Sequence, residues 1–206
     1  MILKVFSAIL LTATSLSSLA SPVFNADNGH YYELHTFTDD WRLDWVDAKS
    51  FAESLTFLGG SGYLATVTSQ NEDNFLWDTL GAQGSFLGGI DTSGNETNWQ
   101  WVTGEAFSYT NWVTGEPNNW QDGSTLTPNN EDYLMYWWPG NNYTGHWNDT
   151  NVDSSFMDNN QLTYTTRGFV VEYTPTATSP IVPIPHSIWL FASGILLMLK
   201  RQKNNA

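Results

Sequence analysis

The sequence predicts an α+β domain: two early helices, short strands that build small antiparallel sheets, and one long irregular loop. Three observations point there. Two segments with apolar residues at helical spacing, each opened by a capping residue and followed by glycine, lie between Asp44 and Gly81. From Ser85 onward helical spacing ends, and aromatic-rich runs alternate with turn residues. Between Phe107 and about Asn130 the chain is rich in Gly, Asn, Pro and Trp without any period. A loop that long in a compact domain is uncommon unless it is functional.

Taken in order, "GHYYELHTFT" (Gly29 to Thr38) alternates well enough, with aromatics, to form a strand. Asp44 caps a helix whose Trp45, Ala48, Phe51, Ala52 and Leu55 share one face, and Gly59 and Gly60 follow its end. "GYLATVT" is a short strand. Ser69 with Glu72 forms a capping box ahead of Phe75, Leu76 and Leu80, and Gly81 stops this second helix. "SFLGGID" and "WQWVTG" are strands around the turn "TSGNETN". "DYLMYWW", "GHWND" and "RGFVVEY" are three further strands.

The two ends differ from this middle. Residues 1–20 carry Lys4, an apolar run and small residues before Ser21, the layout of a signal peptide cut after Ala20. The other reading, a buried N-terminal helix, lacks a polar face for water. The domain occupies 21–174. Residues 175–186 are a Thr/Ser/Pro linker containing Val182-Pro183-Ile184-Pro185, and 187–206 hold an apolar run with a basic tail. The run from Ile188 to Leu199 is short for a membrane span, although its basic flank suits a cytoplasmic stop. The order Val-Pro-x-Pro, apolar helix, basic tail resembles the PEP-CTERM/VPxPA-like sorting signals of bacterial exported proteins, with His186 where alanine often stands. That resemblance implies an exosortase-type sorting protease as partner and residence in the inner membrane before processing. It further implies a cell-surface or exopolysaccharide setting, with the tail either removed or kept as an anchor. A plain single-pass anchor is the alternative.

All 21 acidic residues lie between Asp27 and Glu172, where only Arg42, Lys49 and Arg167 are basic, a formal −18. Such a surface disfavours nucleic acid and anionic lipid and suits divalent cations, although most of these charges serve solubility. Cysteine is absent, which excludes thiol catalysis and Cys-based metal sites. The 11 Trp supply large buried area in place of cross-links.

The words "WVDAKSFAESL", "GGSGYLATVTSQNEDNFL", "FLGGIDTSGNETNWQWVTGEAFSYTNWVTGEPNN" and "NEDYLMYW", "GHWND", "RGFVVEY" together resemble the C-type lectin-like domain, from about Gly29 to Tyr173. The family's two disulfides have no counterpart here, since Ala52, Val171, Tyr133 and Val152 stand at those positions. Losing such bridges can cost several kcal/mol, so packing must compensate.

Calcium takes oxygen ligands from carboxylates and amides. The resemblance implies a principal Ca2+ site of Glu116, Asn118, Glu131, Asn148 and Asp149, with Pro117 in a cis bond that aims its two neighbours to one side. Three carboxylates repel one another without the metal. In the family two sugar hydroxyls complete the calcium shell while bonding Glu116, Asn118, Glu131 and Asn148. The order Glu-Pro-Asn goes with mannose-, glucose- and fucose-type ligands. Trp120 and Trp147 are candidates for stacking on a sugar, with simple packing the competing reading, above all for Trp147. A possible second metal site comprises Asp91, Glu96, Asn119 and Asp132, where Asn119 stands for an expected acid and Asp91 to Glu96 is one residue longer than usual. Ordinary turn chemistry also explains these residues.

No HExxH, phosphate-binding loop or opposed carboxylate pair occurs, so no enzymatic activity is expected. His146 reads as an exposed neighbour of its strand. Asn95, Asn142 and Asn148 stand in Asn-x-Thr sequons, but bacterial export argues against glycosylation there. The resulting expectation is an exported surface protein that binds extracellular glycan or exopolysaccharide through calcium. The alternative is a structural or protein-binding display domain.

Overall fold

Asp44 and Ser69 open the two helices in the computed structural model, which describes residues 21–38, 40–121, 123–124, 130–137, 146–158 and 161–176. Asp44 takes extended backbone, and its carboxylate accepts the Asp47 N–H at 2.8 Å to start α1 (Trp45–Ser54). Trp45, Ala48 and Ala52 form the buried stripe. Ser69 Oγ accepts the Glu72 N–H at 3.3 Å to start α2 (Gln70–Asn74).

The second helix departs from expectation twice. The Glu72 carboxylate does not close a capping box on Ser69. It reaches one residue further back, where Oε2 accepts Thr68 N–H at 2.7 Å and Thr68 Oγ1 at 3.0 Å. The Tyr32 hydroxyl donates to its other oxygen at 2.5 Å, so tertiary packing decides its direction. After Asn74 the chain widens into a π-helical turn, Phe75–Leu80. Gly81, at φ 76°, ends it by donating to the Leu76 carbonyl, a left-handed cap that only glycine adopts without cost.

The sheet is built around the last strand, β11 (Gly168–Tyr173). It runs antiparallel to β2 (Tyr31–Thr36) over all six residues and antiparallel to β4 (Gly60–Leu64). It meets β5 (Ser85–Asp91) in parallel at Gly168 and Phe169. Beyond β5 lie β7 (Tyr133–Tyr136) and then β8 (Trp147–Thr150), while β6 (Trp99–Trp101) pairs the other end of β5. Two-residue strands β1 (Val23–Phe24) and β3 (Thr56–Phe57) extend the edges. A separate hairpin, β9 (Ser155–Asp158) with β10 (Gln161–Tyr164), was not expected from the sequence.

Two aromatic-rich clusters flank the sheet. One gathers Tyr32, Leu76, Leu134, Tyr136 and Trp147; the other gathers Trp45, Leu64, Phe86, Phe169 and Val171. The four positions where the family places cysteines are filled by packing. Ala52 and Val171 are fully buried in one cluster. The Tyr133 ring lies 4.7 Å from that of Trp45, and the Trp45 backbone N–H donates to the Val152 carbonyl at 2.8 Å. Trp45 therefore touches both segments a bridge would have joined, one through its ring and the other through its main chain.

No helix among the described residues is long and apolar enough to cross a membrane. The proposed signal peptide, residues 177–186 of the linker with its Val-Pro-Ile-Pro motif, and the C-terminal apolar run lie outside the described residues.

Candidate functional site

The sheet sets out the site by register. In the β7–β8 pair, Leu134 lies opposite Asp149 and Tyr136 opposite Trp147, while Met135 lies opposite Asn148. Asn148 lines the cavity beside Met135, while the Asp149 carboxylate reaches the long loop at Asn118 and Asn119. Trp147 is fully buried against Trp101, Phe107 and Trp112, and its indole N–H donates to Asp73 at 3.1 Å. It is a core residue and does not stack on a ligand. Its backbone pairs the incoming long loop, since Trp147 N–H donates to Asn111 O at 2.8 Å and Val113 N–H to Trp147 O at 3.0 Å.

Asp73 anchors this joint. One carboxylate oxygen accepts from Tyr136 at 2.5 Å and from Trp147, the other from Tyr109 at 3.0 Å and Asn111 at 2.5 Å. Four donors from three segments thus converge on a buried carboxylate, which offsets the cost of burying it. Sequence reasoning missed Asp73; its one signal was a carboxylate next to a run of inward-facing apolar residues. His146 is half-buried rather than exposed, with Nδ1 2.8 Å from Asn111 Oδ1.

The Glu116–Pro117 peptide is cis. The loop beyond it is tied to β8 and to the segment before β7. Asp149 Oδ2 accepts the N–H groups of Asn118 at 3.0 Å and Asn119 at 2.7 Å. Glu131 Oε2 accepts the Trp120 N–H at 2.7 Å, and Asn119 Oδ1 accepts the Glu131 N–H at 3.0 Å. Trp120 itself is 52% exposed, an indole free to meet a ligand. Glu116, Asn118, Trp120, Glu131 and Asn148 line one cavity of about 660 Å³. Glu116 Oε2 and Asp149 Oδ1 are buried without a hydrogen-bond partner among the described residues. Buried acceptors with no donor are costly, and an all-oxygen donor set of this kind fits a hard divalent cation.

Of the second set, Asp91, Glu96 and Asp132 bring carboxylate oxygens within 4.8 Å of one another. Asn119 does not add an oxygen to them; its amide N–H donates to Asn130 Oδ1 at 3.1 Å. Asp91 is already saturated, accepting from Ser93, Asn95, Glu96 and Asn98 in the turn it closes. Glu96 Oε1 and Asp132 Oδ1 are the buried oxygens left unpartnered there. Glu96 and Asn119 adopt left-handed backbone, at φ 64° and 48°, a strained choice for residues with side chains.

The carboxylates perturb one another. Burial, then repulsion from Asp149, Glu116 and Glu96, pushes Glu131 up to about 9. Burial, then Asp149 and Asp91, pushes Glu96 up to about 8. Burial and a carboxyl–carboxyl contact with Asp149 bring Glu116 to about 7. Burial also raises Asp149 and Asp132. Asp91 is the contrast: burial works against it, but hydrogen bonds from its turn hold it at about 2. Negative charge is thus concentrated beyond what the groups can hold alone at neutral pH.

No protein-family model matches the chain. Over 90 residues the chain is 38% identical to Halomucin of Haloquadratum walsbyi, a stretch that covers 44% of this chain and 1% of that protein. Over 82 residues it is 40% identical to C-type lectin domain family 4 member F of Rattus norvegicus, covering 40% of this chain and 13% of that protein. The chain therefore spans only a small part of the length of these relatives. The cow C-type carbohydrate-recognition domain of CD23, solved in the presence of GlcNAc2Man3 oligosaccharide, superposes with a TM-score of 0.51 at 22% identity, covering 72% of this chain and 90% of that one. The element order and this likeness define the fold as C-type lectin-like.

Proposed function

We propose that this domain binds carbohydrate through a calcium ion held by Glu116, Asn118, Glu131, Asn148 and Asp149. The observation that carries the reading is the cavity in which Glu116, Asn118, Glu131 and Asn148 converge, with buried oxygens of Glu116 and Asp149 left without donors. Calcium would supply a positive centre that offsets these carboxylates and attracts sugar hydroxyls. Carboxylates only accept hydrogen bonds and amide NH2 groups donate, so Glu116 and Asn118 fix which hydroxyl gives and which receives. That order favours ligands of the mannose, glucose and fucose type. Asp91, Glu96 and Asp132 form an accessory cation site, weakened by the turn that already saturates Asp91. The chain is exported and acts at a cell surface or in extracellular matrix; this part rests on residues 1–20 and 175–206 alone.

A glycan array probed in calcium, after chelation, and with Glu116→Gln tests the reading. Binding that survives both chelation and the substitution sinks it. Calcium-dependent thermal stabilisation with no glycan bound would favour a structural or protein-binding role instead.

A further inference from the structure

The cavity at the candidate calcium site has a second, chemically different half. Beside Glu116 and Glu131 it is lined by Met135 of β7, by Trp137 just beyond that strand, and by Phe156 and Tyr164 from the β9–β10 hairpin, with Ser154, Thr163 and Thr165 alongside them. The hairpin is fixed in place. Asn151 brackets Ser155 with hydrogen bonds of 2.6 and 2.9 Å, and Thr165 N–H donates to Ser154 O at 2.9 Å. The Arg42 guanidinium lies 4.2 Å over the Tyr164 ring and donates to the Thr166 carbonyl at 2.6 Å. The apolar wall is therefore built and does not result from loose packing. Ser155 Oγ, in a residue 4% exposed, lines the same cavity and has no partner among the described residues.

We propose that the hairpin side of this cavity is an apolar subsite that takes the hydrophobic substituent of an amphiphilic glycoside whose sugar hydroxyls meet the acidic end. The inference rests on the carbohydrate reading given above. The space suits a ligand larger than one hexose, since cavities of roughly 300–1,000 Å³ enclose drug-sized molecules. A plain oligosaccharide continuing into it would set hydroxyls against the Met135 thioether and the Phe156 ring, while the Ser154 hydroxyl is already bonded to Thr166 and that of Thr165 to the Ser154 carbonyl, so the hydrogen bonds lost from water are poorly matched. An alkyl, acyl or aryl group loses nothing there and gains by leaving water. The carboxylates of Glu116, Glu131 and Asp149 outweigh the charge of one calcium ion, so that end disfavours an anionic headgroup and suits a neutral sugar with an uncharged substituent. Ser155 Oγ stands ready for an oxygen of an ester or ether link.

Isothermal titration of the full chain in calcium with methyl α-mannoside and with hexyl α-mannoside tests this. Both probes carry one sugar and differ only in the alkyl group. The expected result is that the hexyl glycoside binds at least about tenfold more tightly. Phe156→Asn removes that gain and leaves the methyl glycoside's affinity unchanged; Phe156→Leu keeps the gain; Leu162→Asn, on exposed β10 outside the cavity, changes neither. Equal affinity of the wild type for both probes overturns the subsite while the carbohydrate reading stands, and this comparison needs no variant to fold. A gain that survives Phe156→Asn also overturns it, since the alkyl group then lies elsewhere. Failure of both glycosides to bind in calcium overturns the mannose-type reading and the subsite together.

Discussion

Asp149, fully buried on β8, accepts the backbone N–H of Asn119 at 2.7 Å. That bond joins the most regular part of the site to its least regular part. Its other oxygen has no donor, so one carboxylate both shapes the loop and faces the candidate cation. Asp149→Asn keeps an acceptor for Asn119 and removes the charge. In chelator its melting temperature is expected to match or exceed the wild type, because repulsion with Glu116, Glu131 and Glu96 is relieved. Its calcium affinity is expected to fall at least about tenfold, read by titration calorimetry.

Acidity should work on the site in a defined direction. In the metal-free fold, Glu116, Glu96 and Glu131 sit at about 7, 8 and 9, above the ordinary 4.5 of an unfolded glutamate. The folded state thus binds more protons, and stability from these groups is greatest below pH 4.5 and falls as pH rises toward 9. Calcium must displace those protons, so its binding releases protons at pH 7 and weakens toward pH 5. Calorimetry in buffers of different ionisation enthalpy measures the release. Glu131→Gln should shrink it.

A second titration is independent of that site. His30 Nδ1 lies 2.5 Å from the buried Glu172 carboxylate, and this contact, with Glu172, Glu72 and Glu105 charges adding and burial opposing, raises the imidazole above 6.5. Its stabilising contribution is complete below pH 6.5 and disappears as pH rises through the raised value. Melting temperatures of wild type and His30→Asn should therefore differ most below pH 6.5 and converge as pH rises past the raised imidazole value.

Removing the Asp73 carboxylate would take the acceptor from the buried Tyr136 and Trp147 donors and from the half-buried Tyr109 hydroxyl, and would release Asn111 from this joint. Asp73→Ala is expected to lose about 3 kcal/mol or more in urea denaturation. Because Asn111 and Trp147 hold the start of the long loop to β8, calcium affinity should weaken as well, although Asp73 lies outside the cation site. Tyr109→Phe, which removes one donor and leaves the acceptor, should cost far less.

Much of the fold was legible because it is set by local chemistry. Asp44 and Ser69 cap as their types require, and Gly81 supplies the left-handed stop. The aromatic runs mark the strands of the main sheet, with β11 at its centre. What escaped depends on distant contacts. The π-helical turn at Phe75–Leu80 keeps the apolar spacing of an α-helix, so periodicity could not reveal it. Glu72 has the spacing of a capping-box residue, yet Tyr32 and Thr68 compete for it. The β9–β10 hairpin escaped because its strands are four residues each and the apolar side chains of β10, Leu162 and Tyr164, are exposed. For the site, resemblance named the acids and amides. It favoured packing for Trp147, which is core, but did not reveal that Asn119 serves as a hydrogen-bond joint or that the turn bonds saturate Asp91.

The most direct measurement is calorimetric titration of methyl α-mannoside into the full chain, in calcium and again in chelator, for wild type and Glu116→Gln. The account predicts saturable binding of the wild type in calcium only, with at least about a tenfold loss in Glu116→Gln. Binding of equal strength in chelator, or in Glu116→Gln, would contradict it.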